Sequence, residues 1–434
     1  MQAIPQTLVS EHASTSQQAS APAAISGDAR LRRGLIETDV SRRCALTVTL
    51  VFLAVIYGIP LTQATLELHA GDESSLAGLF QRLPTEENLR SFEQEIEQAS
   101  YLKELVQPQM QLLLSRWGRT GNRRTILGRD GWLFYAPGLT HTAGPSFIDP
   151  DALARRALED EPATADPRPA ITAFGRMLAA RGIALVLFPV PDKAMLQPRE
   201  LHARARGAAA LPVANNLGFE DFVDELRAQG IHVFQPAPAQ LHTADAPRYL
   251  VQDTHWTPQW MDQVARQLAR TLVELDTQLK RSPTAWHVVP QQAERVGDLV
   301  DALKLPDDQA LFQAQTVTIE QVRADNGELW QPNPQAEILL LGDSFTNVFS
   351  ESMMGWGEAA GFAPHLSLAL GRDLDVISQN DAGAFATRQA LARALAAGDD
   401  RLAGKRIVVW ELAARELSVG DWKHIDWPEK KEVD

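Results

Sequence analysis

Residues 44–61 (CALTVTLVFLAVIYGIPL) carry no charged side chain. Eighteen residues in a helix cover about 27 Å, close to the ~30 Å hydrocarbon core of a bilayer. Arg30, Arg32, Arg33, Arg42 and Arg43 precede or open the run, and no Lys or Arg follows until Arg82. That asymmetry predicts an uncleaved single-pass anchor with the N-terminus in the cytoplasm and everything after residue 62 on the far side. Two other readings compete. A cleaved signal peptide would have its apolar stretch nearer the N-terminus, and a core helix of a soluble domain would be equally apolar.

On this basis 1–43 reads as a cytoplasmic tail, disordered because 1–29 are rich in Ala, Ser, Gln and Thr and lack aliphatic periodicity. Residues 44–62 are the anchor. Residues 63–120 form a juxtamembrane helical stalk: apolar positions recur at helical spacing from Glu86 to Trp117, and Pro108 should break or kink the run. A globular domain occupies 121–425, followed by a tail over 426–434. The few residues after Gly420 leave no room for a further domain.

Within 121–425 the texture is that of an α/β domain. Residues 126–135 read as a β-hairpin around Asp130–Gly131, and 138–167 as a proline-containing loop. Apolar runs then predict strands at 183–190, 231–234, 337–341, 374–378 and 406–412. Helical patterns at 169–181, 215–229, 258–280 and 385–397 alternate with them. This rhythm predicts a doubly wound, mostly parallel sheet with helices on both faces. Ligands of such sheets bind at the carboxyl ends of the strands.

Ser344 lies at such an end, in Gly342-Asp343-Ser344-Phe345 directly after 337–341. A helix starting there would offer free N–H groups to an oxyanion; a plain N-cap serine looks the same in sequence. Gln252-Asp253-Thr254-His255-Trp256-Thr257-Pro258 supplies a base and its orienter. If the segment is extended, Asp253 and His255 point the same way. The carboxylate can then hold one imidazole nitrogen while the other meets Ser344. Thr257 and Pro258 suit the N-cap and first position of the next helix. Asp-x-His could instead be structural, or two metal ligands, though no third ligand stands at ligand spacing. No metal or cofactor is expected.

Asp253-Thr254-His255-Trp256 together with Gly342-Asp343-Ser344-Phe345 resembles the alginate O-acetyltransferase family, a periplasmic branch of the SGNH-hydrolase-like superfamily. Gly128-Arg129-Asp130-Gly131-Trp132-Leu133-Phe134, Pro191-Asp192-Lys193, and Val409-Trp410-Glu411 with Arg415-Glu416-Leu417 extend the likeness over about 120–420. The Asp-x-His pair precedes the serine, a permuted order that the family shares. The resemblance is to its membrane-anchored members. It implies an acetyl-Ser344 intermediate with His255 as general base and Asp253 fixing its tautomer. It also implies an exported polysaccharide as acceptor, a membrane-bound acyltransferase (MBOAT-type) partner as acetyl donor, and an inner-membrane location with the catalytic domain in the periplasm. Asn380 and Gly383, in the loop after 374–378, are candidate oxyanion residues. Lys193, Arg372 and Trp256, with Trp132 and Trp260, are candidate sugar contacts.

Two rival functions share these residues. The same triad could remove acetyl groups with water as acceptor. The domain could also be a non-catalytic scaffold or polysaccharide-binding subunit. The formal net charge of -14 opposes nucleic-acid binding, which depends on phosphate neutralisation. The one cysteine, Cys44, sits in the apolar run, so no internal disulfide can form.

Overall fold

In the computed structural model, which describes residues 41–72, 74–81, 83–158, 164–202, 215–237 and 246–428, the apolar runs become strands where the sequence places them. The strands are β1 (Thr125–Leu127), β2 (Leu133–Tyr135), β3 (Ala184–Val190), β4 (His232–Val233), β5 (Trp286–Arg295), β6 (Gln315–Ala324), β7 (Ile338–Gly342), β8 (Asp375–Ser378) and β9 (Ile407–Ala413). Five of them form one sheet in the order β4-β3-β9-β7-β8. Every pairing in it is parallel.

Alternation along these strands splits the core in two. Val186, Phe188, Val190, Ile338, Leu340 and Val409 face one side, where helices Pro258–Leu275 and Phe362–Leu370 bring Val264, Leu268, Phe362 and Leu366. Leu185, Leu187, Leu339, Leu341, Val408 and Trp410 face the other, covered by Phe174, Phe222 and Leu391 from helices Pro167–Ala179, Phe219–Ala228 and Ala386–Ala396. A sheet buried on both faces needs continuous apolar strands rather than alternating ones, and these strands are continuous.

Some expectations give way. Residues 138–167 are not a plain loop: helices Ala136–Ala143 and Pro150–Arg156 form there, each with a proline in its first turn, where its missing N–H costs nothing. The hairpin β1–β2 is present, with Asp130 and Gly131 both at positive φ. The antiparallel ribbon β5–β6, ten residues in each strand, was not anticipated. Most of β5 is exposed and it contains Pro290, so it lacks the apolar run that marks the central strands.

The described residues fall into two compact units, divided between Lys103 and Glu104. In the first, one helix runs Arg42–Ala70, so the apolar run continues into the expected stalk without a break. It is the one described helix long and apolar enough to cross a membrane. Gln63 is buried and ties this helix to the next turn of chain: its Nε2 donates to Ala99 O at 2.6 Å and its Oε1 accepts from Tyr101 N at 3.0 Å. The stalk helix breaks at Ser100, between Glu86–Ala99 and Tyr101–Leu113, while Pro108 lies inside the second helix without ending it. The tail expected at 1–43 lies outside the described residues up to 40, as does 429–434.

Candidate active site

The Asp-x-His segment is a tight turn, not an extended strand. Tyr249 and Trp256 bridge its base, and Leu250 N donates to His255 O at 3.1 Å. Helix Pro258–Leu275 follows at once, with Thr257 as N-cap and Pro258 in its first turn as expected. Asp253 and His255 face one site because the Asp253 carboxylate grips the residue two ahead. Its Oδ1 accepts the His255 backbone N–H at 3.0 Å and His255 Nδ1 at 2.6 Å. A carboxylate only accepts, so Nδ1 carries the proton and Nε2 is left with its lone pair. Nε2 lies 2.8 Å from Ser344 Oγ and accepts the serine hydroxyl proton. Ser344, His255 and Asp253 thus form one continuous hydrogen-bonded relay. Ser344 is partly exposed while the other two are buried.

The electrostatics follow from these contacts. Burial acts to raise the Asp253 pKa, but the His255 hydrogen bond and charge, with the Trp356 indole, hold it below the usual carboxylate range. Burial acts to lower His255, and the Asp253 hydrogen bond and charge, with Asp298 behind them, leave it above 6.5. Asp253 Oδ2 accepts from Trp356 Nε1 at 3.0 Å and from Asp298 N at 3.2 Å. Two donors on each oxygen fill the lone-pair positions of the carboxylate. Ligand atoms of Asp253, His255 and Asp298 lie within 4.8 Å of one another, so a third potential metal ligand is present after all. Because the Asp253 lone pairs are already used, the cluster fits a proton relay better than a cation site.

Ser344 is held as firmly. It follows β7 on a turn bolted to β9. Asp343 Oδ1 accepts from Phe345 N at 2.8 Å and its Oδ2 from Ala413 N at 2.7 Å. Asp343 N and Thr346 Oγ1 both donate to Glu411 Oε2, at 3.0 and 2.8 Å. Burial and the neighbouring Asp343 push the Glu411 carboxyl pKa well up. The helix expected after Ser344 is a single turn, Ser344–Asn347, too short for a helix dipole to matter. The Ser344 N–H has no acceptor among the described residues, so it is free to donate to an oxyanion formed there.

The remaining candidates separate. Asn380 is tied to the segment after Ser344: its Oδ1 accepts from Asn347 Nδ2 at 2.8 Å and its Nδ2 donates to Glu351 Oε2 at 3.1 Å. Gly383 backs onto the Asp343 carboxylate, where an added Cβ would lie 3.3 Å from Oδ2. It packs against Asp343, Glu416 and Leu412, behind the turn that carries Ser344. Lys193 stands at the carboxyl end of β3 but turns inward, and is buried. Its Nζ donates to the carbonyls of Leu250, Val251 and Asp253 at 2.6, 3.0 and 3.0 Å. It braces the catalytic turn and is unavailable to a sugar; burial lowers its pKa to about 7. Trp256 and Trp260 are core residues, with Trp256 packed against Phe188, Phe345 and Phe362. Arg372 precedes β8, at the opposite end of the sheet, and donates to Leu279 O and Leu370 O. The sequence reading missed Asp298 and Trp356. Both reach Asp253 from distant segments, and no local pattern marks either.

Residues 125–414 match the family described as SGNH hydrolase-like domain, acetyltransferase AlgX. The probable alginate O-acetylase AlgJ of Pseudomonas putida is 26% identical over 325 residues, 71% of this chain and 73% of that protein. The probable alginate O-acetylase AlgJ of Pseudomonas aeruginosa is 30% identical over 195 residues, 43% of this chain and 42% of that protein. Among solved structures, the O-acetyltransferase domain of Pseudomonas putida AlgJ aligns at 22% identity with a TM-score of 0.49, covering 68% of this chain and 93% of that one. Pseudomonas aeruginosa AlgX aligns at 18% identity with a TM-score of 0.48, covering 69% and 67%.

Proposed function

Because the chain belongs to the family of SGNH hydrolase-like, AlgX-type acetyltransferase domains, we propose that it is an O-acetyltransferase working through an acetyl-Ser344 intermediate. The observation that carries this reading is the relay from Asp253 Oδ1 through His255 to Ser344 Oγ, with contacts of 2.6 and 2.8 Å. Ser344 Oγ attacks the acetyl carbonyl as its proton passes to His255 Nε2. The Ser344 N–H donates to the oxyanion that develops. Collapse expels the donor's leaving group, which takes the proton from His255. An acceptor hydroxyl then gives its proton to His255 and attacks the acetyl-serine, releasing the acetylated product and Ser344. Asp253 holds the imidazole in the required tautomer and stabilises it when charged.

The acceptor is an exported polysaccharide, alginate or a related polymer. Support comes from the two curated relatives, both named as probable alginate O-acetylases. Helix Arg42–Ala70 serves as a single inner-membrane anchor, with the catalytic unit in the periplasm. Acetyl groups reach that side through a membrane-bound acyltransferase of the MBOAT type. The test is to supply the full chain, in detergent, with an activated acetyl ester, with and without uronate or neutral oligosaccharides. Acetylated sugar is the expected product. Acetate released at a rate indifferent to sugar would make the protein an esterase instead, and no turnover of any ester would leave a scaffold.

A further inference from the structure

The β5–β6 ribbon delivers a second carboxylate to the imidazole. Helix Asp298–Leu303 lies between its two strands, and Gly297 just before it touches the catalytic turn. A Cβ at Gly297 would stand 2.2 Å from Gln252 O and 2.7 Å from Asp253 N, so only glycine permits this approach. Asp298 then grips the turn twice. Its backbone N–H donates to Asp253 Oδ2 at 3.2 Å, and its Oδ1 accepts Thr254 N–H at 2.7 Å. Its second oxygen, Oδ2, lies 3.9 Å from His255 Nδ1.

From this juxtaposition we infer that Asp298 is a positioning residue of the relay, a second carboxylate that sets the basicity of His255 through the Asp253 turn. The inference rests on the reading of Ser344, His255 and Asp253 as catalytic. A purely structural role would require only the Oδ1 acceptor for Thr254 N–H, which a neutral amide supplies equally well. The charge and the placement of Oδ2 beside Nδ1 have no such structural use. They favour the imidazolium that forms when His255 takes the serine proton. Four charged or titratable groups face this imidazole or the carboxylates on it. Asp253 and Asp298 favour the charged ring, the partly buried Arg415 opposes it, and Lys193 stands beside both carboxylates. Burial and the charge of Asp253 raise the Asp298 pKa to about 6.

The experiment is the pH dependence of Ser344 acetylation by an activated acetyl ester, measured on the full chain in detergent. Wild type, Asp298→Asn, Asp298→Ala and Ser344→Ala are compared. The asparagine retains an acceptor for Thr254 N–H. It is expected to lower the high-pH rate about threefold and to move the acid limb down by roughly half to one pH unit. The alanine, which also loses the Thr254 bond, should lower the rate further with a similar shift. If Ser344→Ala is inert but both Asp298 variants keep the wild-type limb, Asp298 is structural only and the inference fails while the relay stands. Acetylation that survives in Ser344→Ala overturns the relay, and the inference with it.

Discussion

Asp253 accepts four hydrogen bonds, from the His255 ring and backbone, the Trp356 indole and the Asp298 backbone. Asp253→Asn presents an amide N–H₂ where one pair of these donors now points. It also permits the other imidazole tautomer, in which Nε2 can no longer accept the serine proton. By the serine-protease precedent the rate should fall about 10,000-fold, measured as acetyl transfer by a variant whose circular dichroism is unchanged. The raised pKa of His255 has a definite sign. The relay needs neutral His255, so activity is lost as pH falls through a value above 6.5, and a rate profile with its acid limb at or below that value would contradict the contacts. Lys193 tests the support of the turn. Lys193→Met removes the donor to the Leu250 and Asp253 carbonyls, while Val251 O keeps the Leu133 N–H, and should destabilise the unit by about 2–4 kcal/mol, read as a lower Tm together with a lower rate.

At the scale of elements, what the sequence makes legible is what local chemistry dictates. The strand 338–342 is apolar along its whole length and 407–413 is apolar but for the buried Glu411, and Thr257–Pro258 announces a helix start. Both therefore lie within a residue of where the pattern puts them. The β5–β6 ribbon escapes because its exposed, polar strands carry no periodic apolar signal, and it holds Asp298. The site is thus only partly readable: the triad sits on motifs, while its second carboxylate and the Trp356 donor arrive by tertiary contact. Lys193, Trp256 and Arg372 turn away from the site for a related reason: proximity to a strand end in sequence says nothing about which way a side chain turns. The ribbon's role is open to test at Gly297. A Cβ there meets backbone rather than a movable side chain, so Gly297→Ala must push the ribbon off the turn. Acetyl transfer should drop by about tenfold or more, with a Tm loss of a few degrees; an unaffected rate would show that the ribbon does not hold the turn.

For the molecule as a whole, the catalytic unit gathers its site from one loop before helix Pro258–Leu275, the end of β7 and the ribbon between them, all at the carboxyl edge of a parallel sheet. The Asp253–His255 pair precedes Ser344 in sequence, yet contacts of 2.6 and 2.8 Å join the three in the fold. The first unit contributes a helix long and apolar enough for a membrane, with arginines before it and none in the apolar run. A reporter fused to the C-terminus should read the far side of the membrane, and a cytoplasmic signal would overturn the anchor's orientation. The central claim is that acetyl passes through Ser344. Its most direct test is peptide mapping by mass spectrometry after brief exposure of the full chain to an activated acetyl ester. The account predicts one acetyl group on the peptide containing Ser344, absent from Ser344→Ala and sharply reduced in His255→Ala. Acetylation at the wild-type level in Ser344→Ala, or confined to another residue, would contradict it.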